Sequence, residues 1–315
     1  AVSDPCRTLL HDGQKVRTMT ALRTPDEAFA AVPDFGYAPH YADDLRGYEG
    51  LRLAFVDEGP RDARVFLCLH GDPTWSFLYR KMIAVFLASG ARVVAPDFYG
   101  FGRSDKPAGD GDYSFGFHRD SLLRLIERLD LRTITLVCQD WGGALGMTLP
   151  LDMPDRFTRL IAMNTLLATA DFPIGTGWLA WRDYSNAHPD LDVGLLMKRT
   201  CPMLSDAEIA AYDAPFPDAR YKAGVRAFPN RVPISPEMDG VEISKRARTW
   251  WQTAWTGETF IAAGGKDPVL GVAAMQRLRT CVRDAPEPVQ YAEAGHFIQG
   301  WGEEGARGAL RAFGG

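Results

Sequence analysis

Six apolar, strand-like runs punctuate the chain: RVFLCLHG, ARVVAPD, TITLVCQD, RLIAMN, TFIAAGG and PVQYAEAGH. No other feature limits the fold so sharply. Several are followed by segments whose apolar residues return at helical spacing. Phe77 to Leu87 reads as one such helix. SLLRLIERLDL reads as a second, with Leu122, Leu125, Ile126 and Leu129 at helical spacing. A third runs near Ala273 to Val282, and a last one ends at Phe313. Strands alternating with helices imply a mainly parallel sheet covered on both faces, an α/β architecture. In such sheets ligands sit beyond the carboxyl ends of the strands. With 315 residues, 46% of them hydrophobic, the chain can bury a core of that kind.

Residues 164–240 break the rhythm. They are rich in Pro, Trp and Tyr and hold only short helical pieces, such as LDVGLLMKR and SDAEIAAYD. An insertion between two core strands is the natural reading, and its place in the chain puts it over the strand ends as a lid that excludes water. The expected division is an N-terminal tail (1–18), a first part of the core (19–163), a helical cap (164–240) and a second part of the core (241–315). The tail lacks the apolar centre of a signal peptide, and no stretch of 18 apolar residues occurs that could span a membrane. A net charge of −5 without any basic stripe argues against nucleic acid. Cys6, Cys68, Cys138, Cys201 and Cys281 are odd in number and form no C-x-x-C. Free thiols in a reducing compartment, hence a cytoplasmic protein, are expected. Gly100-x-Gly102 in YGFGRSD lacks the third glycine of a dinucleotide fingerprint and precedes a Pro-containing loop, so no nucleotide is expected there.

The run TITLVCQD ends in an acid, and Trp141, Gly142 and Gly143 follow. Cys138-Gln139-Asp140-Trp141-Gly142 has the shape of a nucleophile elbow, the strand-to-helix turn whose familiar form is G-x-S-x-G. Small residues flank such a turn because strand and helix approach closely. Asp140 stands where the nucleophile belongs, although an Asp there also makes a good helix N-cap. Asp267 follows the next-to-last strand-like run and His296 follows the last. The chain order Asp140, Asp267, His296 is the order nucleophile, acid, base. His70 competes as the base, but its place in HGDP suits a structural role near the oxyanion hole.

A carboxylate nucleophile narrows the chemistry. It is ionised at neutral pH and needs no base for its attack. As an acyl acceptor it would give a labile anhydride, so peptides and esters fit poorly. Attack on an sp3 carbon bearing a leaving group gives an ordinary alkyl ester instead. His296, oriented by Asp267, would then deprotonate a water that attacks the ester and frees an alcohol. Backbone N–H groups of Trp141 and Asp72 would hold the oxyanion. An alkyl halide and an epoxide both meet this need. The epoxide requires a proton donor, and the lid tyrosines Tyr184, Tyr212 and Tyr221 keep that alternative in view.

From RTPDEAF onward the sequence resembles the haloalkane dehalogenases, most of all the subgroup that hydrolyses 1,2-dichloroethane. LHGDPTWSFLYRKMI, VVAPDFYGFGRSDKP, LVCQDWGG, APFPDARYKAGVRAFP and AGHF carry the resemblance. It implies an α/β-hydrolase fold with an eight-stranded, mainly parallel sheet and an inserted helical cap. It implies neither cofactor nor metal, and release of halide, proton and a primary alcohol through a covalent alkyl-enzyme ester. Asp140 matches the nucleophile, His296 the base and Asp267 the acid, with Asn164 standing where some relatives carry the acid. Trp141 matches one halide-binding tryptophan. GWLAWRD places the second on Trp181, with Trp178 as the competitor. Ala144, Trp178, Phe228, Pro229, Val269 and Leu270 match the substrate pocket. Ala144 and Trp178 differ there from the dichloroethane enzyme's two Phe residues, and Val269 from its Leu. Asp72 stands where close relatives have Glu and others Asn. The expected partners are a small haloalkane and halide ion, and the expected state is a monomer.

Overall fold

The computed structural model describes residues 6–12, 15–171 and 175–314. In chain order the strands are β1 (Cys6–Asp12), β2 (Lys15–Leu22), β3 (His40–Ala42), β4 (Leu53–Glu58), β5 (Val65–Leu69), β6 (Arg92–Pro96), β7 (Lys106–Pro107), β8 (Ile134–Asp140), β9 (Phe157–Thr165), β10 (Glu258–Gly264) and β11 (Val289–Tyr291). The α-helices are α1 (Arg80–Ala88), α2 (Phe115–Arg128), α3 (Trp141–Gly146), α4 (Thr176–Ala187), α5 (Val193–Thr200), α6 (Asp206–Asp213), α7 (Ala223–Ala227), α8 (Val241–Thr253), α9 (Val272–Thr280) and α10 (Gly302–Ala312). Eight strands form the main sheet, in the order β11-β10-β9-β8-β5-β6-β4-β3. The two pairings made by β4 are antiparallel and the others are parallel. This is the expected α/β-hydrolase architecture. The stretch expected as a tail falls partly on β1 and β2, an antiparallel hairpin whose second strand pairs with β7.

The sequence explains why these strands lie inside. Every residue of β5 (VFLCL) and β6 (RVVAP) is buried, as parallel strands covered on both faces require. Arg92 is tolerated there because its guanidinium meets Asp57 at 2.7 and 2.8 Å. On α2, Ser114 caps the N-terminus by accepting the Phe117 N–H at 3.0 Å, and Leu122, Leu125 and Ile126 are buried. Leu129 forms the cap rather than the last turn. The helix expected from Phe77 begins instead as a 3-10 turn at Ser76–Tyr79 and becomes α-helical at Arg80. Ser76 N–H is held by Asp97 at 2.8 Å and Tyr79 OH donates to the Leu69 carbonyl at 2.8 Å, which ties the turn to the strand ends.

The strand order explains where a site can form. From β5 the chain steps to β6 on one side, then returns past β5 to β8 and on to β9. Right-handed crossovers in opposite directions place their helices on opposite faces. Accordingly α1 packs with α10, whereas α2 packs with α3. The carboxyl ends of β5 and β8 therefore part around a crevice. Helices α4 to α7 fill the interval between β9 and α8 as the inserted helical region. The insertion is anchored to the core through α6. Trp75 Nε1 donates to the Ala211 carbonyl at 3.1 Å, and buried Arg80 pairs with Glu208 and reaches Tyr212 OH at 3.3 Å. Among the described residues no helix is long and apolar enough to cross a membrane.

Helix α3 lies so close to β5 that only glycine fits at its second residue. A Cβ on Gly142 would stand 2.0 Å from the Leu69 carbonyl oxygen and 2.7 Å from that of His70. Gly142→Ala should therefore destabilise the protein by about 1–3 kcal/mol or more, as overpacking against backbone does. A lowered denaturation midpoint with an unchanged m-value checks this, and an unchanged midpoint would show that α3 can retreat.

Candidate active site

Asp140 is the last residue of β8 and sits at φ 51°, ψ −126°. For a residue with a side chain such a conformation costs about 1–3 kcal/mol and persists only when its surroundings impose it. Here Thr165 Oγ1 donates to the Asp140 carbonyl at 2.7 Å. A Cβ on Gly143 would fall 2.0 Å from the same Oγ1, and one on Gly71 would fall 2.3 Å from Asp140 Oδ1. The glycines before and after the acid clear the volume that its turn occupies. The side chain makes no helix-capping hydrogen bond. Asp140 Oδ1 instead accepts the backbone N–H of Asp72 at 3.1 Å. The N–H of Trp141, at the first position of α3, has no intrahelical acceptor.

His296 and Asp267 come to the same point from loops after β11 and β10. His296 Nδ1 lies 2.8 Å from Asp267 Oδ2, and its Nε2 lies 3.5 Å from Asp140 Oδ2. Burial opposes the imidazolium, but Asp267 and Asp140 outweigh it and push His296 up to about 10. Burial likewise works against the Asp267 carboxylate, yet His296 and the N–H groups of Val269 and Leu270 hold it below its ordinary value. The two shifts run in opposite directions, each toward the charged form, as a hydrogen-bonded ion pair requires. His70 is excluded from this set. It is fully buried, its Nε2 accepts the Phe98 N–H at 2.9 Å, and its Nδ1 meets the Gly71 carbonyl at 2.9 Å. Burial lowers it to about 4, so it braces the loop as a neutral ring.

Two supporting residues carry roles that the sequence does not disclose. Asn164 Nδ2 donates to Asp267 Oδ2 at 3.0 Å and to the carbonyls of Gly295 and His296 at 3.0 and 3.2 Å, while its Oδ1 accepts the Gly264 N–H at 2.8 Å. It locks the loops of acid and base together. Gln139, wholly buried, places its Nε2 2.9 Å from His296 Nε2. Its position directly before Asp140 was the only available signal.

A cavity of about 350 Å³ opens over this relay. Asp72, Asp140, Trp141, Ala144, Trp178, Trp181, Pro229, Val269, Leu270 and His296 all line it. Phe228 does not belong to that wall. It packs edge-on against Trp141 at 4.8 Å and against Phe101 at 4.9 Å, because its ring turns into an aromatic cluster behind the cavity. Of the lid tyrosines only Tyr184 reaches the cavity. Tyr212 is buried against Phe77 and Arg80, and Tyr221 is buried elsewhere. The indole N–H groups of Trp75, Trp251 and Trp255 donate to protein oxygens. Among the described residues no protein acceptor meets those of Trp141, Trp178 and Trp181. An indole N–H facing an apolar cavity calls for an acceptor.

The Gly100-x-Gly102 turn serves packing. Both glycines have positive φ, and a Cβ on Gly102 would meet the Asp97 carboxyl at 2.2 Å. No group of three or more potential metal ligands occurs among the described residues.

Comparisons with known proteins bear on the fold and the family. Residues 64–303 match the family model described as the alpha/beta hydrolase fold. The haloalkane dehalogenase of Psychrobacter cryohalolentis is 44% identical over 287 residues, covering 89% of this chain and 93% of that protein. The haloalkane dehalogenase of Mycolicibacterium paratuberculosis is 39% identical over 285 residues, covering 89% and 94%. The tetrameric structure of haloalkane dehalogenase DpaA from Paraglaciecola agarilytica superposes with a TM-score of 0.90 at 51% identity, covering 92% of this chain and 98% of that one.

Proposed function

The chain belongs to the haloalkane dehalogenases, on the α/β-hydrolase fold, and from that premise we propose how its own residues hydrolyse a carbon–halogen bond. The reading rests above all on one observation: a carboxylate on a strained elbow faces an apolar cavity and is joined through His296 to a second carboxylate. Asp140 attacks the carbon in line with the halogen and forms an alkyl ester. The leaving halide accepts hydrogen bonds from the indoles of Trp141 and Trp181, the latter chosen over Trp178 on the sequence match. Each charge-assisted bond is worth about 1.5–3 kcal/mol, and only the part gained in the transition state accelerates halide loss.

Esterification removes the negative charge of Asp140, one of the two that hold His296 protonated. The ring then gives its proton up to solvent more readily, the proton that the overall reaction liberates, and the neutral imidazole can take one from water. Formation of the intermediate thus prepares the base for the step that destroys it. Asp267, held by Asn164, keeps the ring's Nδ1 side occupied. The backbone N–H of Asp72, already on Asp140 Oδ1, and that of Trp141 receive the oxyanion as water adds. Epoxide opening is the weaker reading, since among the described residues a single tyrosine, Tyr184, lines the cavity.

The resemblance to the dichloroethane-hydrolysing subgroup extends to the motifs but not to the pocket wall. Ala144 lies on that wall, where the subgroup has a Phe. We read the core as residues 19–163 and 241–315 and the cap as 164–240. Cys68, Cys138, Cys201 and Cys281 are free and buried, which supports a cytoplasmic, reducing setting. The expected monomer draws no support from DpaA, which is described as tetrameric.

Two outcomes follow from this reading. His296→Phe incubated with 1,2-dibromoethane should accumulate an alkyl adduct on the peptide containing Asp140, visible by mass spectrometry. An unmodified peptide from a folded variant would overturn the nucleophile assignment. Ala144→Phe should shift the ratio of kcat/KM for 1,2-dichloroethane over 1-bromobutane toward the shorter substrate by about 1–3 kcal/mol, the scale of small changes in apolar fit. Equal loss on both substrates would indicate overpacking rather than a change in pocket length.

A further inference from the structure

Among the described residues that line the cavity, Arg199 is the one lysine or arginine. It stands in the last turn of α5, exposed at the rim. The end of α5 rests there on the loop that carries the base. A Cβ on Gly295 would fall 2.9 Å from the Thr200 carbonyl oxygen, and Cys201 Sγ donates to the Phe297 carbonyl at 3.6 Å. The guanidinium is held from α4. Its Nη1 donates to Tyr184 Oη at 3.3 Å, and the group lies 5.8 Å from the centre of the Tyr184 ring. Tyr184 lines the cavity too, and the His188 ring packs 4.2 Å from its own.

Other cations of the inserted region are answered by acids. Arg182 meets Asp183 at 3.9 Å, Arg220 meets Asp218 at 2.8 Å, Lys222 meets Asp190 at 2.6 Å and Arg226 meets Asp110 at 2.8 Å. No carboxylate among the described residues pairs with Arg199. Tyr184 Oη accepts from Arg199 and so keeps its own proton to give. The rim therefore offers guanidinium N–H groups and an adjacent O–H to one anion. On the core side of the cavity stand Asp140 and Asp72, and the wall between is apolar, with Ala144, Leu166, Leu196 and Val232. A chain molecule with one carboxylate end cannot set that end beside Asp140 without opposing like charges. It can set it on Arg199.

We propose that Arg199 anchors an anionic end group of the substrate, and that haloalkanes ending in a carboxylate bind with the acid at the rim and the carbon–halogen bond at Asp140. The proposal rests on the dehalogenase reading above and adds to it a substrate class. The planar guanidinium suits a carboxylate, which it can meet with two parallel hydrogen bonds. The apolar wall buries the methylene chain, and the rim charge decides which end enters first. With 6-bromohexanoate, an Asp140 oxygen bonds to the terminal carbon as the C–Br bond breaks, and bromide leaves with the electron pair. Water then hydrolyses the ester. The products are 6-hydroxyhexanoate, bromide and one proton.

The test compares bromide release from 6-bromohexanoate and from 6-bromohexanamide, equal in length and uncharged. Arg199→Gln should lower the acid-to-amide ratio of kcat/KM by roughly two- to fivefold, the scale of an ion pair at an exposed rim. The loss should lie in KM and shrink at high salt. Arg199→Lys should recover part of the ratio, and Arg199→Glu should lower it further than Arg199→Gln. A ratio unchanged in both Arg199→Gln and Arg199→Glu would overturn the proposal. So would a wild-type protein that releases bromide from the amide and none from the acid. Hexanoate, which has no halogen, tests the anchor apart from turnover. Its binding, followed by tryptophan emission, should weaken in Arg199→Glu while that of hexanamide does not, and equal weakening of both would count against the anchor. If bromide is released and the ratios coincide, the Arg199 proposal fails alone. If neither substrate releases bromide and 1,2-dibromoethane leaves no adduct on Asp140 in His296→Phe, the dehalogenase reading has failed instead, and hexanoate binding still decides the anchor.

Discussion

The site depends on one steric constraint: a carboxylate-bearing residue held at positive φ between a strand end and a helix that nearly touch. Asp140 occupies that turn because Gly71, Gly142 and Gly143 leave the volume that a Cβ would take. The approach of α3 to β5 brings the Asp72 N–H onto the carboxylate. It also places Trp141 at the cavity wall and leaves its N–H free of intrahelical bonding. Relaxing the turn would separate nucleophile, oxyanion donors and indole together, because all three are fixed by the same backbone.

Charge follows from that placement. Two carboxylates, Asp140 and Asp267, flank one imidazole, and both favour its protonated form. Such an imidazole already carries its proton at neutral pH and cannot accept another until one anion is neutralised, and alkylation of Asp140 neutralises it. The relay therefore separates the two halves of the reaction in time without any moving part. Asn164 and Gln139 are the fixed points around His296, one reaching its backbone carbonyl and the acid, the other its ring.

Much of this was legible in the sequence, for definite physical reasons. Apolar runs that end in Asp140, Asp267 and His296 put three complementary groups at strand ends, where an α/β sheet binds its ligand. The strand order β8, β9, β10, β11 then brings those ends side by side. The helical stripe of α2 was readable for the same reason, since local spacing decides it. What depends on distant partners was not readable. Asn164 could be recognised as standing where relatives carry an acid, but not as the clamp on Asp267, a contact across 103 residues. Gln139 sits in a buried strand, and nothing local turns its amide toward His296. Phe228 was placed on the cavity wall by matching positions, whereas its ring faces Trp141 and Phe101 one layer behind. The 3-10 turn at Ser76–Tyr79 arises from tertiary ties to Asp97 and Leu69 that helical spacing does not express.

The central claim is that the oxygen delivered to the alcohol comes first from Asp140 and only later from water. A single turnover with enzyme in excess, in water enriched in heavy oxygen, tests it directly. The account predicts that the label appears in the carboxylate of the Asp140 peptide and is missing from the first-formed alcohol. Label in that alcohol together with an unlabelled Asp140 would mean that water attacks the carbon itself, and would contradict the account.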